Sequence, residues 1–365
     1  MDVKIVGSAT RAVFGQRADD HVRRQWREAA ATMPAAAALT LVARSDVTAC
    51  AATIGWLVEN PGALLVDEGG QRLMMATAAP PADDCGDDPW PAAASRAVSG
   101  SFEVYSRKLR RHQPVEALDL RRLPRVVAER TLFDLVYKGV TDLVTRYVWP
   151  VPAFHVVRGL AAIHVRPNLV TVVGALLMML AALFLWQSRW ELALAAAWAM
   201  SFLDTVDGKL ARVTGQSSEL GNVLDHGMDI VHPPIWWICL AHGAAADWSS
   251  IADRTVFASS GVILLMYLVG RVSEEGFKIA FGFNQFMWTP FDGALRLVIA
   301  RRNTILAIVT IGALAGDAGL SVVAAAAWSV VSIGLQTGRT LLAWNRRARG
   351  QPIRNCLQDM AGAPA

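Results

Sequence analysis

The chain has 365 residues, 53% of them hydrophobic and only 18% charged, whereas a soluble domain carries about a quarter charged residues. That shortfall speaks against an ordinary soluble enzyme, and a net charge of +4 is too mild to imply a nucleic-acid partner. Cys50, Cys85, Cys239 and Cys356 stand apart without CxxC spacing, which argues against a zinc site or a disulfide framework.

In chain order, the first twenty residues hold no apolar run after their basic residues, so no secretory signal is expected. Residues 1–125 alternate helical stretches with short apolar runs at 38–43 and 63–67, the second ending in a Glu-Gly-Gly turn. An α/β domain is expected there, with 80–95 as a loop. Residues 126–165 are basic and partly amphipathic. Leu132, Leu135, Val136, Val140, Leu143 and Val144 recur at helical spacing, which fits a juxtamembrane helix lying in the membrane surface or a linker helix packed on the N-terminal domain.

From about residue 165 the composition changes. Apolar segments run over 169–186, 190–203, 223–240, 256–269, 304–315 and 320–344, the longer ones near the length that crosses a bilayer. Trp186, Trp190 and Trp344 flank them, as aromatic belts do at a membrane interface. If the chain before residue 165 is cytoplasmic, the outward loops at 187–189, 241–254 and 316–319 hold only Arg189 and Arg254. The inward loop 271–303 then holds Arg271, Lys278, Arg296, Arg301 and Arg302, and the tail adds Arg346, Arg347 and Arg349, as the positive-inside rule requires. The expected fold is mainly α. It has a six-transmembrane-helix bundle at 166–345, an N-terminal cytoplasmic α/β domain at 1–125, a linker at 126–165 and a cytoplasmic tail at 346–365, in a bacterial inner membrane.

Between the second and third segments lie Asp204, Asp207, Gly208, Ala211 and Arg212, then eight residues, then Gly221, Asp225 and Asp229. At 100° per residue Asp204, Asp207, Gly208 and Ala211 share one helix face. Asp225 and Asp229, four apart, share a face of the next helix. Carboxylates are expensive near hydrocarbon and mark functional sites; so many close together repel one another unless a cation neutralises them. Hard oxygen donors suit Mg²⁺ or Mn²⁺, and Arg212 offers a fixed cation for a phosphate. Carboxylates, a divalent ion and arginine together suggest phosphoryl transfer.

The pattern D-x2-D-G-x2-A-R-x8-G-x3-D-x3-D resembles the signature of the CDP-alcohol phosphotransferases, with every specified position met. Pro167, Asn168 and Thr171 match the family's P-N-x-x-[TS], and the likeness covers roughly 150–345. The resemblance implies that Asp204, Asp207, Asp225 and Asp229 bind metal, two ions in all, with Asp229 also deprotonating the acceptor hydroxyl. Asn168, Thr171, Gly208, Arg212 and Ser218 would line the donor site, and Arg271, Arg301 and Arg302 an acceptor phosphate. It implies transfer of a substituted phosphoryl group from a CDP-alcohol, CDP-diacylglycerol above all, to a hydroxyl acceptor such as a polyol or polyol phosphate. CMP is released, membrane lipid surrounds the site and the enzyme is a homodimer. A soluble donor of the CDP-choline or CDP-inositol type with a lipid acceptor stays open, as does, more remotely, a cation-binding transporter or scaffold.

His226 and His232 flank the acids and read as supporting groups, and Pro233-Pro234 should distort the third helix. Residues 6–16, VGSATRAVFGQ, faintly resemble the nucleotide loop of a nucleotidyltransferase-like domain that some relatives carry. They lack its glycine spacing, so a degenerate domain of structural or regulatory use is expected.

Overall fold

A computed structural model describes residues 2–8, 11–78, 90–107, 109–216 and 219–359. The chain divides into two compact units: Met1–Gly139, Phe154–Pro167 and Asp207–Ser218 form the first, and Val140–Ala153, Asn168–Val206 and Glu219–Ala365 the second. Mainly helical overall, it has an N-terminal α/β region.

In the first unit the strands Val3–Val6, Thr40–Arg44, Arg72–Thr77, Ala63–Val66 and Ser95–Val98 lie side by side in that order among the described residues. The outer pairs are parallel and the inner ones antiparallel. The β-branched and apolar runs at 41–43 and 63–66 are buried on both faces, as strands covered on two sides must be. Helix α1 (Ala18–Thr32) starts with Asp19 and Asp20 and buries His21, Val22, Gln25, Trp26, Ala29 and Ala30, a stripe at 3- and 4-residue spacing. Helix α2 (Ala51–Glu59) adds Ile54 and Leu57 to the same core.

The stretch after residue 125 is broken into pieces rather than being one long helix. Helix α3 (Arg125–Leu135) stops at Val136, a wide five-residue turn spans Val144–Val148, and α4 (Pro150–Ala162) follows. Gly139 explains the break. Its N–H donates to the Leu109 carbonyl at 2.8 Å, and a Cβ there would lie 2.5 Å from the Arg110 oxygen. Glu129 is 0% exposed and accepts hydrogen bonds from the Phe14 amide, Arg125 and Arg158 at 2.6–2.8 Å, which pins α3 to α4 within this unit.

The helices after residue 166 are α5 (Pro167–Trp186), α6 (Trp190–Thr214), α7 (Glu219–Ala246), α8 (Asp253–Phe281), α9 (Pro290–Val298), α10 (Arg302–Leu314) and α11 (Ala318–Ala348). On α5, Leu176, Met179, Leu180 and Leu183 are exposed, which suits a helix facing lipid rather than water. Inside the second unit small residues admit close packing: a Cβ on Gly243 would run into the Leu185 carbonyl oxygen. Trp236, Trp237, Val322 and Ala325 fill the space between.

Among the described residues three helices, α5, α8 and α11, are long and apolar enough to cross a membrane, or up to four if the α9–α10 pair, bent by 42°, counts as one span. Helix α6 falls outside that group because Glu191, Asp204, Asp207, Lys209 and Arg212 interrupt it.

Candidate active site

In the second unit, Asp204 of α6 and Asp229 of α7 converge on Arg302, the first residue of α10. One guanidinium nitrogen lies 2.5 Å from an Asp204 oxygen and the other 3.4 Å from Asp229. An arginine fork suits this bridging role, since its two nitrogens reach two carboxylates in one plane. Asn303, the next residue, is anchored from both sides. It accepts from the Ser201 hydroxyl at 2.5 Å and donates to Asp142 at 2.9 Å. Burial works against the charge on Asp142, but the hydrogen bonds from Asn303 and Thr145 outweigh it and hold its carboxyl below the usual range.

Helix α7 contains Pro233 and Pro234 and yet runs unbroken. Proline has no N–H, so each one frees the carbonyl four residues earlier, here Asp229 and Ile230. Both are taken up by α8. Arg271 donates to the Asp229 carbonyl at 3.2 Å, and the Tyr267 hydroxyl donates to Ile230 at 3.0 Å. The distortion expected from the prolines is thus an exchange of partners, and it holds Arg271 beside Asp229 through neutral oxygens.

These groups line one cavity of about 140 Å³ with Asp142, Asp229, His232, Arg271, Arg296, Arg301 and Arg302 on its wall. Arg301 pairs with Glu274, which also accepts from Asn284 at 2.7 Å. His232 donates from Nδ1 to the Met228 carbonyl at 2.6 Å. Arg339 points elsewhere, held by Asp292 at 2.8 Å.

In the first unit the last turns of α6 carry Asp207, Gly208 and Arg212. Arg212 folds back over Gly208, so a Cβ there would lie 3.3 Å from the guanidinium; glycine makes room for it. Asp207 is buried and accepts from the Gly208 amide. Lys209 is stacked 3.4 Å above the Tyr137 ring. In the second unit, Asn168 and Thr171 sit at the start of α5, Thr171 buried. Ser218 lies outside the described residues, as do the side chains of Asp225 and His226; Asp225 is placed one turn before Asp229 on α7.

The sequence-expected residues Asp229, Arg271, Arg301 and Arg302 therefore share one cavity, joined by Asp204 through Arg302. Arg296, Asp142 and Tyr267 were not singled out as site residues. Arg296 looked like a topology anchor, and Asp142 lies 161 residues from the Asn303 it holds. Among the described residues no three acidic, histidine or cysteine groups converge as a metal cage. The donor set nevertheless fits a hard dication: Asp204 and Asp229 present carboxylate oxygens to a cation, the role Arg302 fills between them.

Residues 164–335 match the family model described as CDP-alcohol phosphatidyltransferase. This part of the chain is a CDP-alcohol phosphatidyltransferase domain. The chain is an integral membrane transferase of phospholipid biosynthesis, moving a phosphatidyl group from a CDP-alcohol. It is similar to the archaetidylinositol phosphate synthase of Pyrococcus horikoshii, 27% identical over 179 residues, which are 48% of this chain and 85% of the relative. It is also similar to the crystal structure of Mycobacterium tuberculosis phosphatidylinositol phosphate synthase (PgsA1) in complex with manganese and citrate. That likeness has 20% identity and a TM-score of 0.41, covering 52% of this chain and 88% of the other. A second crystal structure of that protein, with CDP-DAG bound, gives 18% identity and a TM-score of 0.41, covering 52% and 92%. The assignment of the phosphatidyltransferase domain rests on the family match and the signature motif.

Proposed function

We propose that the phosphatidyltransferase domain moves the phosphatidyl group of CDP-diacylglycerol onto the hydroxyl of a phosphorylated polyol, releasing CMP. The observation that carries this is the single cavity in which the Asp229 carboxylate stands among Arg271, Arg296, Arg301 and Arg302. A carboxylate beside clustered guanidiniums fits an acceptor that brings both a proton to remove and an anionic phosphate to hold. Arg271 is the best placed of these for an anion, because its hydrogen bonds go to a carbonyl and a tyrosine hydroxyl rather than to a carboxylate. The similarity to the archaetidylinositol phosphate synthase of Pyrococcus horikoshii supports a phosphorylated product.

In this reading Asp229 takes the acceptor's hydroxyl proton as its oxygen attacks the phosphorus bearing the diacylglycerol, and CMP leaves. Asp204, Asp207, Asp225 and Asp229 would hold Mg²⁺ or Mn²⁺, two ions, which when bound neutralise the pyrophosphate charge. Arg212, over the flat surface of Gly208, takes a donor phosphate, with Asn168, Thr171 and Ser218 beside the nucleotide. Arg302 keeps Asp204 and Asp229 from repelling each other. The helices α5 to α11 form six spans, the α9–α10 pair making one, with the N-terminal region and the site on the cytoplasmic side; the basic residues at 271–302 and 346–349 support that orientation.

The test is CMP release from labelled CDP-diacylglycerol, with glycerol phosphate against glycerol and inositol phosphate against inositol as acceptors, and Asp229→Asn as control. Release confined to a phosphorylated acceptor and lost in the variant is expected. Equal rates with the unphosphorylated partners would sink the acceptor assignment.

A further inference from the structure

An α-helix ends with four backbone carbonyls that find no partner inside the helix, and a buried helix end must find them elsewhere. Helix α6 ends at Thr214 inside the first unit, and its last carbonyls are met by α1 and by Gln16, two residues ahead of it. His21, 1% exposed, bonds the Val213 carbonyl from Nε2 at 2.7 Å. Gln25, 3% exposed, donates to the Arg212 carbonyl at 3.0 Å. Gln16, 7% exposed, donates to the Thr214 carbonyl at 3.4 Å. Three consecutive carbonyls are thus filled by side chains from nearly two hundred residues earlier.

The arrangement is buttressed on both sides. Because Nε2 of His21 donates to a carbonyl, Nδ1 is the acceptor for the Thr48 hydroxyl at 2.7 Å, which fixes the ring from the strand side. Gly215, with φ of +62°, ends the helix in the left-handed conformation that favours glycine. A Cβ there would lie 3.0 Å from the Arg24 Cβ, so glycine also lets α1 come close. One turn earlier, Lys209 lies over Tyr137. Residues 207–214 are therefore held at their end and along their side by the N-terminal region.

We propose that the N-terminal region is a positioning element of the transfer reaction: through Gln16, His21 and Gln25 it caps the end of α6 and sets the direction in which Arg212 and Gly208 meet the donor's phosphates. This rests on the reading of Arg212 as a donor-phosphate residue. It gives a domain without a complete nucleotide loop a use in the chemistry of the membrane domain. The three capping residues act through the helix and do not touch substrate.

The experiment measures steady-state CMP release by the full-length enzyme, varying donor and acceptor separately, for wild type, Gln16→Ala, Gln25→Ala, His21→Ala and His21→Gln. Thermal melting reports the folded fraction of each. The expected result is a donor KM raised by about tenfold in His21→Ala and severalfold in Gln25→Ala, with the acceptor KM unchanged. His21→Gln, whose amide can still donate to the Val213 carbonyl, restores the donor KM. Should His21→Ala fail to fold, the two glutamine variants, each lacking only one of three bonds, decide the matter. Loss of kcat in proportion to the folded fraction with both KM values intact would overturn the proposal, because that is what a merely structural cap does. So would wild-type donor KM in both glutamine variants. A wild-type enzyme that releases no CMP from any cytidine donor would overturn the functional reading and this inference together; an active wild type with indifferent variants would overturn the inference alone.

Discussion

Acidification should destabilise the N-terminal region through His21. Burial pushes its imidazole from the ordinary 6.5 down to about 4, against the raising effect of the hydrogen bond to the Val213 carbonyl. The geometry agrees, since Nδ1 is engaged as the acceptor for Thr48, and protonation removes that acceptor and obliges the hydroxyl to turn round. A group whose pKa is lowered on folding favours the fold while it stays neutral. The unfolded chain takes up a proton below pH 6.5 that the folded chain refuses until about pH 4, so stability is flat above 6.5 and falls between those values. The full drop is about 3 kcal/mol, and at pH 5 about 2 kcal/mol of it is lost. The assay is urea unfolding of the detergent-solubilised protein at pH 7.5 and pH 5.0, for wild type and His21→Gln. Asp19, Asp20 and other carboxylates contribute equally to both proteins, so the difference between them isolates the imidazole. Wild type should lose about 2 kcal/mol more than His21→Gln over that interval. Equal losses would refute the claim that a neutral, donor-saturated imidazole holds this end of α6.

Replacing Arg302 by Met leaves Asp204 and Asp229 facing each other without their bridging cation, and CMP release should fall by about a hundredfold. Arg302→Lys should recover only part of it, because a point charge cannot reach both carboxylates; full recovery in the rate assay would argue against the fork. Pro233→Ala restores an N–H that competes with Arg271 for the Asp229 carbonyl, so the acceptor KM should rise severalfold while the donor KM stays put. Gly243→Ala puts a methyl group against the Leu185 carbonyl and should destabilise the bundle by about 1–3 kcal/mol, read as a lowered Tm in detergent. An unchanged Tm would mean the helices are less closely packed than described. Chelation of divalent ions should stop turnover, and Mg²⁺ or Mn²⁺ should restore it better than Zn²⁺, since the donors are oxygens.

The signature residues were legible because they are local: helical spacing alone puts Asp204, Asp207, Gly208 and Ala211 on one face. So was the apolar alternation that gave every long helix after residue 166 a place in the chain. Helix α6 runs on past its apolar part to Thr214, as the shared helix face of Asp204, Asp207, Gly208 and Ala211 requires. Within 126–165 the periodicity shows helical character but not the break after α3, because it says nothing about Gly139 packing against Arg110. The anchoring of Asn303, next to Arg302, was invisible for a different reason. Asp142 and Ser201 reach Asn303 from over a hundred residues away, and no local pattern announces such a contact. The cap on α6 is hidden likewise: Gln16, His21 and Gln25 look like an ordinary polar stripe until the helix end they serve is beside them.

The proline pair in α7 carries a consequence for how this enzyme can change over evolutionary time. Pro233 and Pro234 create two backbone acceptors, and Tyr267 and Arg271 are the donors that use them. Lose the prolines alone and the helix reclaims its carbonyls, leaving Arg271 to find another perch. Lose Tyr267 alone and the Ile230 carbonyl is left without its donor; lose Arg271 alone and the Tyr267 hydroxyl, 3.4 Å from the Asp229 carbonyl, must serve two acceptors with one proton. The four positions should therefore be inherited as a block. A descendant that takes a different acceptor would be expected to replace them together, and a comparison of its relatives would find the proline pair and its two donors gained or lost in step.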